Sequence, residues 1–345
     1  MLKIGFDGGY GNTEAVASNG RRIEVPSVVG SGFKREFSGL FGENRGLSTD
    51  NVHVRIDGKD YFVGTLAHEE SVTASAAFDQ NKINHPNNRI IIAATTAMIM
   101  KNEKEDIIFV SCLPYSDYND QKDELKKYLQ DFRAEVILFD GEKEVYRDVR
   151  FRHVGIFAQG AAAVYSILEQ YREYLSSRNV TLAVADIGMK TLDVVVVKIT
   201  DRIRILESLS FGLDTGISLI HEALSKAVQK KTGLSHGTPD LDYIIRNNGK
   251  WQEHDFSAEI GAAKLELKRV INDEINKRWK SRKHAIARTF LVGGGGEYLF
   301  NEFSSIQDNV ELPPDPRFAN ALGCLKVADT LEEIFQEKAA LSING

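Results

Sequence analysis

Apolar runs that contain Asp-x-Gly near their end occur twice along the chain, and each predicts a buried strand that leads into a tight turn. The first copy spans residues 2–13 and contains Asp7, and the second spans residues 182–193 and contains Asp186. Each copy is followed by two further strand-like runs, at residues 14–18 and 21–29 in the first case and at 194–199 and 203–209 in the second. The pattern therefore predicts two three-stranded meanders.

The spacing of the two copies indicates a duplicated chain. Asp7 and Asp186 lie 179 residues apart in a chain of 345 residues, so each half has the length expected of one domain of ~100–200 residues. We therefore predict an α/β protein made of two homologous domains, at residues 1–175 and 176–345.

The first half also carries predicted helices and a central strand. Residues 89–102 are apolar nearly all round, as is typical of a helix buried between layers, and the apolar run 106–113 predicts a fully buried strand. Residues 117–132 are strongly charged, with apolar residues at helical spacing, and predict an amphipathic surface helix. Two further strands are expected at residues 134–139 and 144–151.

Two regions interrupt the repeated pattern and are predicted to be inserted subdomains. Residues 30–80 are rich in glycine, serine and charge, with a predicted hairpin around Asp57-Gly58. Residues 220–285 are charged and mostly helical, including a long helix at 257–280. We expect both insertions to form walls above a cleft between the domains, and the final helix, at 321–340, to pack back on the first domain.

Composition narrows the class of protein only slightly. Hydrophobic residues make up 42% of the chain and charged residues 27%, which is ordinary for a globular protein. The net charge of −6 argues against sequence-independent binding to nucleic acid, which needs a basic surface. Cys112 and Cys324 have no metal-binding spacing and are expected to be buried thiols. With no leader and no membrane-spanning run, the sequence predicts a cytoplasmic protein.

The two glycine turns predict a nucleotide site. Backbone N–H groups freed by glycine suit a polyphosphate, and a carboxylate at the tip of each strand suits Mg²⁺ held through water. The metal candidates are Asp7 and Asp186; strand-end caps are the alternative role for these carboxylates. The phosphate-binding candidates are Gly8, Gly9, Tyr10, Gly11 and Asn12 in the first turn and Gly188, Met189, Lys190 and Thr191 in the second.

A third glycine segment predicts where the base and ribose bind. Gly293, Gly294, Gly295 and Gly296 follow a buried strand and leave no side chain to obstruct the close approach of a flat base. A flexible loop is the alternative interpretation. We disfavour it because the segment lies between a predicted strand and the helix-like residues 297–300.

Five motifs in order resemble those of the superfamily that contains actin, the heat-shock chaperone ATPase domain and the sugar kinases. Residues 7–13 look like the first phosphate loop, 156–163 like the first connecting helix, and 186–193 like the second phosphate loop. Residues 291–297 look like the adenosine loop and 318–323 like the second connecting helix. The resemblance is to the plasmid-segregation actins of the ParM type above all. It implies the actin fold, with two duplicated ribonuclease H-like domains around a nucleotide cleft, each with an inserted subdomain.

The resemblance also implies roles for individual residues. Gln159 is expected to orient the attacking water, since a neutral amide can position water without being a strong base, and to act with Asp7 and Asp186 in catalysis. The alternative is a glutamine at a helix N-terminus that satisfies backbone groups. Lys264 and Lys268, one turn apart on a predicted helix, are expected to lie against the adenosine of ATP or GTP, although solvated lysines are an equal alternative. Gly212 is included among the nucleotide-binding residues.

The chain departs from actin-like relatives in the charges of both phosphate loops. Glu14 stands where relatives usually carry a lysine that pairs with phosphate oxygens. Lys190 stands in the second loop where relatives usually carry a small residue. We predict that Lys190 replaces the missing cation; the alternative is a lysine that points into water.

The sequence therefore predicts an actin-like ATPase that polymerises head to tail with ATP (or GTP) and Mg²⁺ and depolymerises after hydrolysis. The resemblance implies that such a filament moves plasmid DNA through a ParR-like adaptor bound to a centromere-like site. One alternative is a monomeric sugar or small-molecule kinase, which would need an aspartate base where Gln159 stands. A heat-shock-type chaperone, which should continue into a β-rich peptide-binding domain, and an MreB-like cytoskeletal filament are the others.

Overall fold

The computed structural model describes residues 1–36, 46–76, 83, 85–171 and 179–343. Parts of the first predicted insertion therefore lie outside the described residues. The described strands are β1 Leu2–Gly8, β2 Asn12–Ala17, β3 Arg22–Pro26, β4 Val28–Ser31, β5 Val52–Ile56, β6 Lys59–Val63, β7 Ser75–Ala76, β8 Ile107–Leu113, β9 Arg133–Asp140, β10 Lys143–Arg150, β11 His153–Ala158, β12 Val180–Ile187, β13 Leu192–Ile199, β14 Ile203–Ile205, β15 Phe211–Leu213, β16 Lys250–Trp251, β17 His254–Asp255, β18 Arg288–Val292 and β19 Val310–Glu311. The described α-helices are α1 Thr65–Glu70, α2 Pro86–Ile99, α3 Tyr118–Gln130, α4 Ala161–Gln170, α5 Ser218–Thr232, α6 Thr238–Arg246, α7 Ser257–Trp279, α8 Phe300–Ser304 and α9 Ala319–Ile343.

The chain forms two compact units. Unit 1 comprises Met1–Gln170 and Phe318–Gly345, and unit 2 comprises Tyr171–Arg317. The last helix, α9, lies in unit 1, where it packs against α4, β1 and β8.

The central sheet of unit 1 has the strand order β11-β8-β1-β2-β3. Strand β1 pairs parallel with β8 and antiparallel with β2, so the first predicted meander is confirmed. Every residue of β8 is buried, as its continuous apolar run predicted. Strand β1 is the central strand of the sheet, and Asp7 lies next to its carboxyl-terminal end.

A second sheet of unit 1 has the order β10-β9-β5-β6-β4-β7. It contains the predicted hairpin β5–β6, whose turn residues Asp57 and Gly58 both have positive φ. The strand β5 also pairs with β9, and Val54 lies opposite Leu138. This pairing was not predicted from the sequence, because strands β6, β7 and β8 and helices α1, α2 and α3 lie between the two strands along the chain.

The third run of each meander is shorter than predicted. In unit 1 the predicted run 21–29 is divided at Ser27, whose N–H donates to Gly11 O at 2.8 Å, so β3 and β4 belong to different sheets. In unit 2 the predicted run 203–209 gives only β14, because the chain turns where Leu209 N donates to Leu206 O.

The central sheet of unit 2 repeats that of unit 1. Its order is β14-β13-β12-β18-β19, with β12 antiparallel to β13 and parallel to β18. The strand order and directions therefore match β3-β2-β1-β8-β11 of unit 1, and the predicted duplication is confirmed. The helices α5 and α7 pack together in the second predicted insertion, and the predicted long helix is observed as α7.

The predicted buried helix 89–102 is observed three residues earlier, as α2. Pro86 stands in its first turn, where the missing N–H costs nothing, and His85 Nδ1 accepts from Asn87 N. At the C-terminal end of α2, the Arg21 guanidinium donates to the carbonyl oxygens of Met98 and Met100. The backbone of Met100 is extended, which ends the helix. None of the helices in the described ranges is long and apolar enough to cross a membrane.

Candidate functional site

The Asp7 carboxylate is buried at the end of β1 and held by two side-chain amides of unit 1. Gln159 Nε2 donates to Asp7 Oδ1 at 2.6 Å, and Asn320 Nδ2 donates to Asp7 Oδ2 at 3.0 Å. Asp7 is 6% exposed, so these charge-assisted bonds form away from bulk water, where they are strongest. The carboxylate therefore has a fixed orientation before any ligand arrives.

Gln159 reaches Asp7 because its backbone is fixed between β11 and α4. Its N–H donates to Leu113 O at 2.7 Å, which holds the residue beside the end of β8. The next residue, Gly160, has a φ of 72°, a conformation that favours glycine, and its N–H donates to Asn320 Oδ1 at 2.9 Å. The structure thus brings together Asp7 and Gln159, two of the three predicted catalytic residues.

The first glycine turn, residues 8–12, is held in place by a hydrogen bond from the buried Ser27 side chain. Ser27 Oγ donates to Gly9 O at 2.7 Å and lies 2.9 Å from Thr13 Oγ1, and Ser27 is fully buried. A Cβ at Gly9 would lie 2.5 Å from Asn12 O, so the tight turn requires glycine there. Sequence analysis missed Ser27, because a serine inside a run read as one strand carries no signal of its own.

Two predicted phosphate-binding side chains of this turn make contacts within unit 1. The Tyr10 ring packs against the hydrophobic core, and Asn12 Nδ2 donates to Glu24 Oε1 at 3.1 Å. Glu14 is buried on β2 directly opposite Asp7. A ligand at this turn would therefore meet backbone N–H groups more than side chains.

The second glycine turn, residues 188–191, is fastened to the start of α5. Gly188 N donates to Thr191 O at 2.9 Å, Ile217 N donates to Gly188 O at 3.1 Å, and Ser218 N donates to Met189 O at 2.7 Å. A Cβ at Gly216 would lie 2.4 Å from Gly188 O, so this contact also requires glycine. Asp186 is buried at the end of β12, and Lys190 is exposed in the turn.

The glycine segment 293–296 lies beside Asp186 in unit 2. Gly293 has a φ of 77°, and a Cβ there would lie 2.4 Å from Asp186 Oδ1. A Cβ at Gly295 would lie 2.5 Å from Ile187 Cγ2. A Cβ at Gly294 would have nothing within 4 Å. Packing within the protein therefore accounts for two of these glycines, and Gly294 is the one with open space beside it.

The segment does not lead directly into a helix. Residues 294–299 form turns, and α8 begins at Phe300, so the predicted helix-like start at residue 297 was wrong by three residues. The N–H of Gly295 donates to Ile187 O at 2.9 Å, which holds the turns against β12.

Lys264 lies against the residues that follow the glycine segment. Its Nζ donates to Tyr298 O at 3.0 Å, stands 3.6 Å from the centre of the Tyr298 ring, and lies 3.7 Å from Glu302 Oε1. Burial raises the pKa of Tyr298 to about 12, and the nearby Glu302 carboxylate adds to the rise. Lys268 lies one turn further along α7 and is half-buried. Lys264 is thus not a solvated lysine.

Gly212 lies on β15 opposite Asp193 of β13, and Asp193 in turn lies opposite Asp186. Asp193 is 1% exposed. In unit 1 the corresponding pair is Asp7 and Glu14, so each meander places a second acid across from the strand-end aspartate. Asp193 ends the motif at residues 186–193 but was not among the predicted site residues.

No group of three or more histidine, cysteine, aspartate or glutamate side chains suited to a metal ion occurs in the described part of the chain. Mg²⁺ typically keeps several waters and uses one or two carboxylates together with substrate phosphates. A buried carboxylate oriented by two amide donors, as at Asp7, fits an ion held in that manner.

The same five-stranded sheet in both units, with Asp7 and Asp186 at equivalent strand ends, defines the actin fold. Residues 5–161 match the family of actin like proteins, N terminal domain, and residues 184–305 match the archaeal actin homologue MreB-like family, C-terminal. The chain belongs to the actin-like superfamily and is ParM-like, as its motifs predicted.

Relatives support this membership over nearly the full chain. An archaeal actin homologue of Thermoplasma acidophilum is 24% identical over 336 residues, which cover 95% of this chain and 99% of that protein. A 15-stranded ParM filament from Clostridium botulinum has been solved, and its subunit is 26% identical with a TM-score of 0.86, covering 95% and 99% of the two chains. An archaeal actin homologue in complex with ADP superimposes with a TM-score of 0.77 at 21% identity, covering 96% and 100%.

Proposed function

We propose that this protein is a nucleoside triphosphatase that binds ATP or GTP with Mg²⁺ and assembles into filaments. The observation that carries the proposal is the Asp7 carboxylate, buried at a strand end and oriented by the Gln159 and Asn320 amides beside a glycine turn. Relatives that form filaments, and one solved with ADP, support it.

Each candidate residue has a role in this proposal. Asp7 and Asp186 hold Mg²⁺ through its waters, and the backbone N–H groups of the glycine turns 8–12 and 188–191 receive the phosphates. Bound Mg²⁺ would neutralise charge on the phosphate oxygens. Gln159 orients the attacking water through its side-chain amide.

The base and ribose are assigned to unit 2. The candidates are Gly293, Gly294, Gly295, Gly212, Lys264 and Lys268. Of these, Gly294 has open space on the side where a Cβ would project, so a flat base can approach it closely.

In the proposed filament, one face of each subunit contacts a different face of the next subunit. Head-to-tail contacts that do not close into a ring propagate into a filament, and hydrolysis then weakens them. The 15-stranded ParM filament, whose subunit covers the same length of chain, supports this arrangement.

We further propose that the filament moves plasmid DNA through an adaptor that binds a centromere-like site. The net charge of −6 favours an adaptor over direct DNA binding by this chain. A cytoskeletal filament without a DNA partner is the second candidate, and the match of residues 184–305 to an archaeal MreB-like family favours it.

A plasmid-stability assay tests the DNA-segregation role. A low-copy plasmid carries the gene with its flanking DNA, and a second plasmid carries Asp7→Asn, which removes the carboxylate charge at similar volume. Faster loss of the Asp7→Asn plasmid per generation is the expected result. Equal loss of the two plasmids would remove DNA segregation from the proposal and favour the cytoskeletal role.

The kinase alternative is tested with the purified protein. Phosphate release from Mg-ATP or Mg-GTP without any acceptor is the expected behaviour. Transfer of phosphate to a sugar, with negligible release in its absence, would replace the proposed function with a kinase.

A further inference from the structure

The Asn320 side chain closes a ring of hydrogen bonds around Asp7. Its Nδ2 donates to Asp7 Oδ2 at 3.0 Å, and its Oδ1 accepts from Gly160 N at 2.9 Å. Gln159 Nε2 completes the ring by donating to Asp7 Oδ1 at 2.6 Å. Asn320 is 2% exposed, so the ring is closed to bulk water on this side.

An amide is the chemistry that this position requires. Asn320 must donate at one end and accept at the other, and an asparagine side chain offers both functions on a short, rigid stem. An aspartate would accept at both ends, and an ionised carboxylate there would face Asp7 with like charge. A leucine of similar size would offer neither function and would leave the Gly160 N–H without this acceptor.

The backbone that carries Asn320 has little freedom to move. It lies in the first turn of α9, and a Cβ at Gly5 would lie 2.0 Å from Ala321 O. A Cβ at Gly323 would lie 1.8 Å from Ala162 O. These two close backbone approaches, to β1 and to α4, fix α9 on both sides of the ring, so the amide is presented in one place.

We propose that Asn320 is a positioning residue for the nucleotide-dependent reaction, and this rests on the proposed function. It acts through Asp7, whose carboxylate it holds in the orientation that receives Mg²⁺ through water. Because the same amide accepts from Gly160 N, it also fixes the backbone next to Gln159. Asn320 therefore couples the metal-binding carboxylate to the turn that presents the water-orienting glutamine.

The proposal predicts a loss confined to the metal-dependent part of nucleotide binding. The test measures ATP affinity of the full chain twice, in excess Mg²⁺ and in EDTA, and the ratio of the two affinities is the magnesium gain. Partners that orient metal-binding groups typically contribute ~10–100-fold to metal affinity. In Asn320→Leu we expect the magnesium gain to fall by about that factor, with the affinity in EDTA nearly unchanged.

A merely structural role would give a different result. The control Ile91→Ala removes a fully buried side chain of α2 and lowers the melting temperature through a cavity in unit 1. It is expected to keep the magnesium gain of the wild type. An unchanged magnesium gain in Asn320→Leu would overturn the positioning role, whether the two ATP affinities stay at the wild-type values or fall by the same factor.

A second variant keeps the test decisive if Asn320→Leu does not fold. Asn320→Asp keeps an acceptor for Gly160 N and replaces the donor to Asp7 with a carboxylate oxygen, which faces Asp7 with like charge. It is expected to fold and to lose the magnesium gain, and a wild-type gain in this variant would likewise overturn the proposal. Failure of the wild-type protein to bind ATP or GTP would instead contradict the proposed function, so the two failures are distinguishable.

Discussion

Gln159 and Asp7, 152 positions apart in the sequence, are joined by a hydrogen bond of 2.6 Å between Nε2 and Oδ1. The amide is thereby oriented by the carboxylate, with its N–H turned toward Asp7. The carbonyl oxygen of an amide oriented in this way can accept a hydrogen bond from a water without removing the water's proton. This arrangement suits slow hydrolysis that depends on the position of a water more than on a strong base.

Substitution of Gln159 by alanine tests that role. Gln159→Ala is expected to slow phosphate release by ~100-fold, in the range typical of removing one preorganised hydrogen-bonding group from an active site, while ATP affinity changes much less. Single-turnover phosphate release and equilibrium ATP binding measure the two quantities separately.

The matched control for this variant is Gln229→Ala, an exposed glutamine of α5 that should leave both quantities unchanged. If Gln159→Ala hydrolyses ATP at the wild-type rate, the glutamine does not orient the attacking water.

The glycine segment 293–296 gives a paired prediction. Gly293→Ala forces a side chain into a left-handed conformation and against Asp186 Oδ1, so we expect it to lower the free energy of unfolding by more than ~1 kcal/mol. Gly294→Ala meets nothing within 4 Å and is expected to change it by less than ~0.5 kcal/mol. Chemical denaturation without nucleotide measures both changes.

The same pair separates packing from binding. If the base approaches Gly294, the added methyl group reduces nucleotide affinity although the fold is intact. Wild-type affinity in Gly294→Ala would show that the base does not lie against this glycine.

Lys190 tests whether the second turn supplies the cation that is missing at Glu14. Lys190→Ala is expected to lower affinity for the nucleoside triphosphate roughly tenfold, as the loss of one hydrogen bond to a charged group implies. Affinity for the diphosphate should fall less if the lysine contacts the terminal phosphate. Titration of both nucleotides into the variant and into Lys230→Ala, an exposed lysine of α5, gives the comparison. Equal affinities in the two variants would show that Lys190 does not supply the missing cation.

His53 predicts the pH dependence of stability in unit 1. It packs against the rings of Phe62 and Phe139, and burial lowers its pKa from 6.5 to about 4 despite the nearby Asp60. The unfolded chain therefore binds more protons between about pH 6.5 and pH 4, so the free energy of unfolding falls as pH drops through this window. We expect a loss of about 2 kcal/mol, less than the full shift implies, because solvent reaches part of the ring.

His53→Phe checks this assignment, since phenylalanine fills the same aromatic layer and does not titrate. Denaturation at pH 7 and pH 4.5 should show a smaller difference for the variant than for the wild type. An equal difference would assign the pH dependence to other groups.

Local sequence patterns predicted the parts of the fold that depend on local interactions. The strands that end at Asp7 and Asp186 were predicted because apolar runs, glycine turns and a carboxylate are adjacent in the chain. The surface helix α3 and the hairpin β5–β6 were predicted for the same reason. The division of the run at Ser27 was not, because it depends on bonds to Gly9 and Gly11 that local β-propensity does not reveal.

Prediction of the candidate site was limited in the same way, to features that are local in the sequence. Glycines and aspartates at strand ends were identifiable, since such residues have few local reasons to occur together. The role of Asn320 was not, because its partners Asp7 and Gly160 lie 313 and 160 positions away. The motif around residue 320 signalled a connecting helix, but spacing along the chain carries no information on which side chain of that helix meets Asp7.

The most direct test of the central claim is right-angle light scattering and pelleting of the purified protein, with phosphate release followed in the same sample. Mg-ATP, Mg-GTP, ADP and no nucleotide are compared. We predict that scattering rises with a triphosphate and falls as phosphate appears. Nucleotide binding without assembly over a broad range of protein concentration would contradict a filament-forming triphosphatase.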